Sequence, residues 1–282
     1  MPRSAGTSEI LFSRIHDSAQ EAAIARFLKA HGRRVVGFMG GHDVSREASA
    51  FRRTAELARR LARAGLMVLT GGGPGLMEAA NLGAFLSAFI DDRLDRTIAA
   101  LSDAPTYKHP DWLATAWRVR TELVAVCEGG VSLGVPTWRY GFEPPNVFAA
   151  RQAKMFHNSL REDGLVTLAD AGLVIGPGNA GTVQEIFQDV TQNYYRKPGV
   201  AATPVALMDV AFWTRAVADG PDRVGRTKPL APLLEALAGE REATDFSDSV
   251  LISDDMDAIA ELILRQGPKP TRADIWTARC GA

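Results

Sequence analysis

The sequence predicts an α/β fold, with a doubly wound and mainly parallel sheet that carries helices on both faces. Short apolar runs alternate with longer segments of helical periodicity, which is the order of strands and crossover helices in a parallel sheet. Two of these runs, at residues 66–70 and 172–175, pass directly into glycine-rich turns that open helical segments. Ligands of open α/β sheets bind at the carboxyl ends of the strands, so both turns are candidate binding sites.

The expected elements follow in order along the chain. Each expected strand is a short apolar run, and these runs lie at residues 35–39, 66–70, 131–135, 172–175, 204–208 and 250–252. Helices are expected at residues 45–64, 76–89, 146–160 and 181–195, and Gly65 follows the first of them as a C-cap. We expect a helical arm over residues 1–33, a single domain over residues 34–266 with a helical insertion at residues 91–128, and a tail at residues 267–282.

The composition is that of an ordinary globular protein with a full core. Of 282 residues, 46% are hydrophobic and 23% are charged, and 32 Lys and Arg against 33 Asp and Glu leave a net charge of -1. This balance disfavours a protein that binds nucleic acid or a membrane through a broad basic surface. The two cysteines, Cys127 and Cys280, have no spacing typical of a disulfide framework or a zinc site, and no metal is expected.

No run approaches the ~18 uninterrupted apolar residues of a membrane-spanning helix. The first twenty residues also lack the continuous apolar segment of a secretory signal. A cytoplasmic location is therefore expected.

The two glycine turns favour a phosphate-bearing ligand. Glycine allows close backbone approach, and the N–H groups at the start of a helix attract an anion. Residues 71–75 read Gly-Gly-Gly-Pro-Gly, and neither turn contains the Walker sequence or the GxGxxG dinucleotide fingerprint. Each turn could also be only a tight connection between a strand and a helix.

The second turn contains polar side chains that could take part in binding or catalysis. Thr182 and Glu185 are three residues apart and share one face of the expected helix. The same spacing is that of a capping box, in which the glutamate only reaches back to a backbone N–H. The spacing by itself leaves both alternatives open.

Residues 70–80 and 177–185 resemble the paired motifs of the Lonely Guy (LOG) family, also known under the label "possible lysine decarboxylase". The signature of that family is PGGxGTxxE, preceded on the previous helix by an arginine and a methionine four residues apart. In this sequence Arg151 and Met155 have that spacing. The resemblance implies a Rossmann-like fold.

The resemblance is strongest to the longer bacterial pyrimidine/purine nucleotide 5'-monophosphate nucleosidases. These share a Gly-Gly-His turn after the first strand, which here contains Gly41 and His42. They also share a Glu-Pro-Pro-Asn stretch, here residues 143–146.

The resemblance implies cleavage of the N-glycosidic bond of a nucleoside 5'-monophosphate to free base and ribose 5-phosphate, without a cofactor. It makes Arg151 and Glu185 the catalytic pair. The residues that it implies for substrate and phosphate binding are Gly41, Gly72, Gly73, Glu143, Met155, Gly178, Gly181 and Thr182. It also implies a homodimer or a higher homo-oligomer.

Several features depart from the family pattern. Asn179 stands where the signature usually has glycine, and Gln152 stands where many cytokinin-activating members have lysine. Residues 158–163 are expected to be extra loop. An alternative function is a non-catalytic carrier of a nucleotide or of the molybdenum cofactor on the same fold, which would not need the pair of Arg151 and Glu185.

The sequence leaves the roles of one histidine and two aromatic residues undecided. His42 could touch phosphate or remain in water, while Trp138 and Tyr140 could stack on a base or only pack against the protein.

Overall fold

The computed structural model describes residues 6–89, 92–138, 144–215 and 227–265. Within these residues the strands are Val35–Met39 (β1), Met67–Thr70 (β2), Ser132–Gly134 (β3), Arg151–Gln152 (β4), Gly172–Ile175 (β5), Val205–Met208 (β6) and Val250–Ser253 (β7). They form one seven-stranded sheet in the order β4-β3-β2-β1-β5-β6-β7, and every neighbouring pair is parallel. The predicted α/β fold class is confirmed.

Helices follow most of the strands. They are Thr7–His31 (α1), Ser49–Arg63 (α2), Leu76–Phe85 (α3), Arg93–Leu101 (α4), Trp112–Val124 (α5), Asn158–Leu168 (α6), Ala180–Tyr194 (α7), Val210–Thr214 (α8), Ala231–Gly239 (α9) and Met256–Arg265 (α10). Short 3-10 turns lie at Leu86–Ala88, Glu242–Thr244 and Ser247–Ser249. Helix α1 covers most of the predicted arm, and α4 and α5 lie within the predicted helical insertion. The predicted tail lies outside the described residues.

The sheet has a buried apolar layer on each face. On one face, alternate strand residues such as Val35 and Leu173 pack with residues of α1, α6, α7 and α9. On the other face, Val36 and Val174 pack with residues of α2, α3 and α10. Because successive strand residues point to opposite faces and both faces are covered, the central strands are apolar at nearly every position.

The strand order reverses beside β1. From β1 the chain builds β2, β3 and β4 outward on one side and then returns to place β5 on the other side. The register pairs Phe38 of β1 with both Thr70 of β2 and Val174 of β5. The carboxyl ends of β1, β2 and β5 therefore meet at the topological switch point, where this class of sheet binds ligands.

The helix expected at residues 146–160 is a wrong prediction. These residues contain the edge strand β4, and the helix before β5 is α6, so the extra loop expected at residues 158–163 is helical instead. The cause is Asn146, whose buried side-chain amide donates to the carbonyl of Gly73 at 2.9 Å and whose side-chain oxygen accepts from the amide of Ala149 at 3.1 Å. The long-range bond to Gly73 and the local bond to Ala149 hold the segment in a loop that leads into β4.

Helix α1 is tied to the start of α6 by one carboxylate. Asp17 is fully buried and accepts hydrogen bonds from the backbone amides of Phe156 and His157, both at 2.8 Å. The Nδ1 atoms of His157 and His16 lie 2.6 and 3.1 Å from its oxygens. Burial raises the pKa of Asp17, but these hydrogen bonds outweigh it and hold the pKa below its ordinary value.

Replacing Asp17 by asparagine is expected to lower the free energy of unfolding at pH 7 by about 1–3 kcal/mol, because an amide accepts fewer and weaker hydrogen bonds than a carboxylate. The folded pKa is the lower one, so the ionised carboxylate stabilises the fold above the ordinary value of 3.8, and this stabilisation is lost as the pH falls through the folded pKa. Urea unfolding of both proteins between pH 7 and pH 3 measures the difference.

A matched control is Asp103→Asn, since the Asp103 side chain is 75% exposed and lies 3.9 Å from Arg118. That variant should change the free energy of unfolding by about 0–1 kcal/mol. An effect of Asp17→Asn as small as this, or one that does not shrink below about pH 4, would contradict the role of Asp17.

Candidate functional site

The turns that follow β1, β2 and β5 are hydrogen-bonded to one another. The amide of Gly41, after β1, donates to the carbonyl of Pro177, after β5, at 2.8 Å. The amide of Leu76, after β2, donates to the carbonyl of Gly41 at 3.1 Å. The three turns therefore form one continuous backbone surface at the switch point.

This close approach requires glycine at particular positions. Gly75 has φ +67°, and a Cβ there would lie 2.3 Å from the carbonyl oxygen of Gly41. A Cβ on Gly178 would lie 2.1 Å from Oγ1 of Thr182. A side chain at Gly75 would force the turns after β1 and β2 apart, and one at Gly178 would displace Thr182 at the start of α7.

Together with α6, α7 and neighbouring loops, the turns enclose a cavity of about 460 Å³. This volume lies in the usual range for small-molecule sites. Its polar side chains are His42, Tyr107, Arg161, Glu162, Asn179, Thr182 and Glu185.

Four of the residues expected in the site line this cavity, namely Gly41, Gly181, Thr182 and Glu185. Gly178 does not line the cavity, but it is in contact with the side chain of Thr182, which does. Gly72 and Gly73 belong to the turn after β2, whose next residue, Pro74, lines the cavity. Glu143 and Tyr140 lie outside the described residues.

Met155 does not line the cavity. It is buried in the core with 1% exposure, in a bridge with Thr137. Its methionine side chain packs beside the sheet instead of facing a ligand in this cavity.

Arg151 is not close to Glu185, which contradicts the expected pair. It lies exposed on β4, and its Nη1 donates to the adjacent carbonyl of Ala150 at 2.9 Å. It lines a separate groove together with Trp117. The residues around Arg151 form the edge strand β4 and not the helix before β5. Strands β4 and β5 are four positions apart in the sheet, which is about 19 Å.

Arg161, on α6, is the arginine that faces Glu185. Its side chain is buried and donates from Nε to the carbonyl of Val135 at 2.5 Å and from Nη2 to that of Gly71 at 3.2 Å. Its Nη1 donates to Asn158 at 3.2 Å. These bonds use three of the five N–H donors of a guanidinium, so the group retains the capacity to donate to a ligand.

The sequence contained a signal for Arg161. Apolar residues at positions 165, 166, 168 and 169 follow it at helical spacing and lead into β5. This pattern predicts that the helix before β5 contains Arg161. The family spacing of arginine and methionine had instead indicated Arg151, ten residues earlier.

Glu162, next to Arg161, is also buried, and its two oxygens accept from Asn158 at 2.6 Å and from Gln184 at 2.7 Å. Its charge acts on Glu185. Burial raises the pKa of Glu185 to about 7, with Arg161 opposing the rise and Glu162 adding to it. Glu185 therefore changes its protonation state near neutral pH.

The capping alternative for Thr182 and Glu185 is wrong. Helix α7 begins at Ala180 with Asn179 as its N-cap, so Thr182 is the third helical residue and Glu185 the sixth. A capping glutamate would have to be the third residue. Glu185 is therefore free of that role, and it lies one turn inside the helix on the cavity side.

Lys228 is a further cation that the sequence analysis did not single out. Its Nζ lies 3.5 Å from the side-chain oxygen of Asn179, at the N-terminus of α7, and 5.0 Å from the ring of Phe212. It adds positive charge where the helix dipole already favours an anion. Its position 49 residues along the chain from Asn179 explains why no local pattern indicated it.

The described ranges contain neither a metal-binding cluster nor a membrane-spanning helix. No group of three or more His, Cys, Asp and Glu side chains in these ranges could hold a metal ion. The helices of the same ranges also include none with the length and apolarity needed to cross a membrane.

Residues 33–87 match the family model described as LDcluster4, SLOG cluster4 family, where SLOG denotes the LOG-like superfamily. The predicted resemblance to LOG-like proteins is confirmed. The match spans β1, α2, β2 and α3 and contains two of the three glycine turns. Glu185 and Arg161 lie outside the matched residues.

Solved structures with a similar fold include two molybdenum cofactor proteins. The molybdenum cofactor binding protein of the phototrophic bacterium Rippkaea orientalis is 15% identical, with 82% of this chain and 95% of that chain covered and a TM-score of 0.45. The Moco carrier protein of Chlamydomonas reinhardtii is 16% identical, with 83% and 99% covered and a TM-score of 0.45. No curated protein matches the sequence significantly. Likeness at this level carries no argument about function.

Replacing Gly75 by alanine is expected to lower the free energy of unfolding by more than about 2 kcal/mol, because it adds backbone strain to a direct clash with Gly41. Chemical denaturation measures the loss. The control is Gly32→Ala, since Gly32 has φ +59° but no atom within 4 Å of an added Cβ. The control should lose about 1 kcal/mol. Equal losses in the two variants would show that the contact between the turns contributes nothing.

Proposed function

We propose that this protein hydrolyses the N-glycosidic bond of nucleoside 5'-monophosphates and releases free base and ribose 5-phosphate. The observation that carries the proposal is the placement of Glu185, with a pKa of about 7, and Arg161 in one cavity beside the N-terminus of α7. Water supplies the hydroxyl group that bonds to C1′ of the ribose. The C1′–N bond breaks, and the base leaves with a proton.

The phosphate would lie at the start of α7. Gly181 and Thr182 line the cavity there, and the first N–H groups of a helix are natural donors to a phosphate. The Thr182 hydroxyl and the Lys228 ammonium provide further donors close by. This arrangement uses backbone amides more than positive side chains, which agrees with the net charge of -1.

Glu185 would then face the ribose. Thr182 and Glu185 lie three residues apart on α7, so a ligand whose phosphate meets Thr182 places its sugar about one helical turn further along. Cleavage of a glycosidic bond passes through an oxocarbenium-like state, which a nearby carboxylate stabilises while it orients water or a ribose hydroxyl. This role requires the ionised form of Glu185.

Arg161 would set the charge of that carboxylate. Its guanidinium opposes the effect of burial and so keeps part of Glu185 ionised at neutral pH. The remaining N–H donors can hold an oxygen of the ligand. Its hydrogen bonds to the loops after β2 and β3 fix the guanidinium in place.

A non-catalytic carrier of a nucleotide or of the molybdenum cofactor is the second candidate. It is favoured by the three hydrogen bonds that engage Arg161 within the protein, since these are also consistent with a purely structural arginine. Incubation of the purified protein with AMP, GMP, CMP and UMP separates the two functions. Release of free base supports the hydrolase, while tight binding and recovery of unchanged nucleotide supports the carrier.

Replacing Glu185 by glutamine is expected to lower kcat by about 100-fold or more, because the amide cannot stabilise positive charge on the sugar. In the unaltered protein, kcat/KM should rise about tenfold from pH 6 to pH 8 as Glu185 ionises around pH 7. Rates of base release across this range, with circular dichroism to verify folding, test both statements. A flat pH profile would contradict the role of the ionised carboxylate.

Two arginine variants compare the arginine suggested by the family motif, Arg151, with the arginine of the proposed site, Arg161. Arg161→Lys should reduce kcat/KM by about tenfold or more, because an ammonium lacks the planar set of donors. Arg151→Lys should leave it within about twofold, since Arg151 lies on the far edge strand. A larger loss of kcat/KM in Arg151→Lys than in Arg161→Lys would indicate that Arg151, and not Arg161, belongs to the active site.

A further inference from the structure

The segment between α4 and α5, residues 102–111, reaches the cavity. It is held there by Arg46, which follows the turn after β1 and is almost completely buried. The amide of Arg46 donates to the carbonyl of Pro105, and its Nη1 donates to that of Ala104, both at 2.9 Å. Tyr107 of this segment lines the cavity.

Tyr107 and His42 form an aromatic corner of the cavity wall. Their ring centroids lie 5.8 Å apart with an angle of 58° between the planes. Among the described residues that line the cavity, these two alone carry aromatic rings. Trp138, another candidate for stacking, does not line it: Nζ of Lys154 lies 3.9 Å from the centroid of its ring, and the ring stacks against Phe156.

Asp43 lies beside both rings. Its carboxylate is 3.2 Å from Nε2 of His42, and its charge acts on the hydroxyl of Tyr107. Nζ of Lys108 lies 3.3 Å from the same carboxylate and 5.5 Å from the Tyr107 ring. Partial burial raises the pKa of Tyr107, and the charge of Asp43 adds to this, so the hydroxyl remains a donor at neutral pH.

We propose that Tyr107, positioned by Asp43 and paired with His42, is the stacking surface for the nucleobase of the ligand. The inference rests on the nucleotide of the proposed function. The phosphate and the ribose are assigned to α7, so the base must contact a different wall of the cavity. An aromatic ring in that wall can stack on any base through its π-face. Purine nucleotides, which have the larger ring system, bind more tightly than pyrimidine nucleotides at such a surface.

The test compares AMP with ribose 5-phosphate, which has the same sugar and phosphate but no base. In the Glu185→Gln background, which prevents turnover, Tyr107→Ala should weaken AMP binding about tenfold and leave ribose 5-phosphate within about twofold. Isothermal titration calorimetry measures both affinities. Tyr107→Phe keeps the ring and should retain most of the affinity for AMP.

Asp43→Asn tests the positioning role. This variant should raise KM for AMP with little change in kcat, and it should leave the affinity for ribose 5-phosphate unaltered. Chemical denaturation of each variant verifies that the fold is retained. A fall in kcat at unchanged KM would contradict positioning of the stacking ring.

The outcomes separate this inference from the proposed hydrolysis. If the unaltered protein releases base but Tyr107→Ala binds AMP normally, the inference is overturned and the hydrolase stands. If no base is released but Tyr107→Ala selectively weakens AMP, the stacking surface is supported and the hydrolase fails. Equal weakening of AMP and ribose 5-phosphate, or no binding of AMP by any variant, overturns the stacking role.

Discussion

The site depends on the mutual contact of the three turns at the switch point. The turn after β1 donates to the turn after β5 through Gly41 and accepts from the turn after β2 through the same residue. Such backbone contact is possible because Gly75 and Gly41 have no side chains where a Cβ would meet the carbonyl oxygens of Gly41 and Pro177, at 2.3 and 3.0 Å. The three turns contribute Gly41, Pro74 and Asn179 to the lining of the cavity, so their spacing affects its width.

Buried polar groups hold the surrounding elements on this backbone frame. Arg46 and Glu78 form a two-point ion pair, with Nη2–Oε1 at 2.5 Å and Nε–Oε2 at 3.1 Å, and both side chains are 1% exposed. The same guanidinium donates to the carbonyls of Leu101, Ala104 and Trp112, at the end of α4, between the helices and at the start of α5, so it attaches the inserted helices to α3. Asn146 attaches the segment before β4 to the turn after β2. A buried arginine or amide with several partners fixes geometry more strictly than apolar packing alone does.

The sequence and the structure agree where the signal is local. The runs that became β1, β2 and β5 are apolar and end in glycine, and Thr182 with Glu185 falls on one face of α7 as their spacing requires. Agreement failed at residues 146–160, where periodicity indicated a helix but long-range hydrogen bonds of Asn146 and pairing with β3 hold extended chain. The same error led the sequence analysis to expect Arg151 beside Glu185, where the structure has Arg161.

The sequence by itself determined the α/β class, the glycine turns and the position of Glu185, since these depend on residues close together in the chain. Only the tertiary structure decided which arginine faces Glu185, that Lys228 lies near Asn179, and that Tyr107 of the insertion reaches the cavity. Each of these contacts joins separate elements of the fold. Their partners are fixed by the strand order β2-β1-β5 and by the packing of helices on it, which no local pattern encodes.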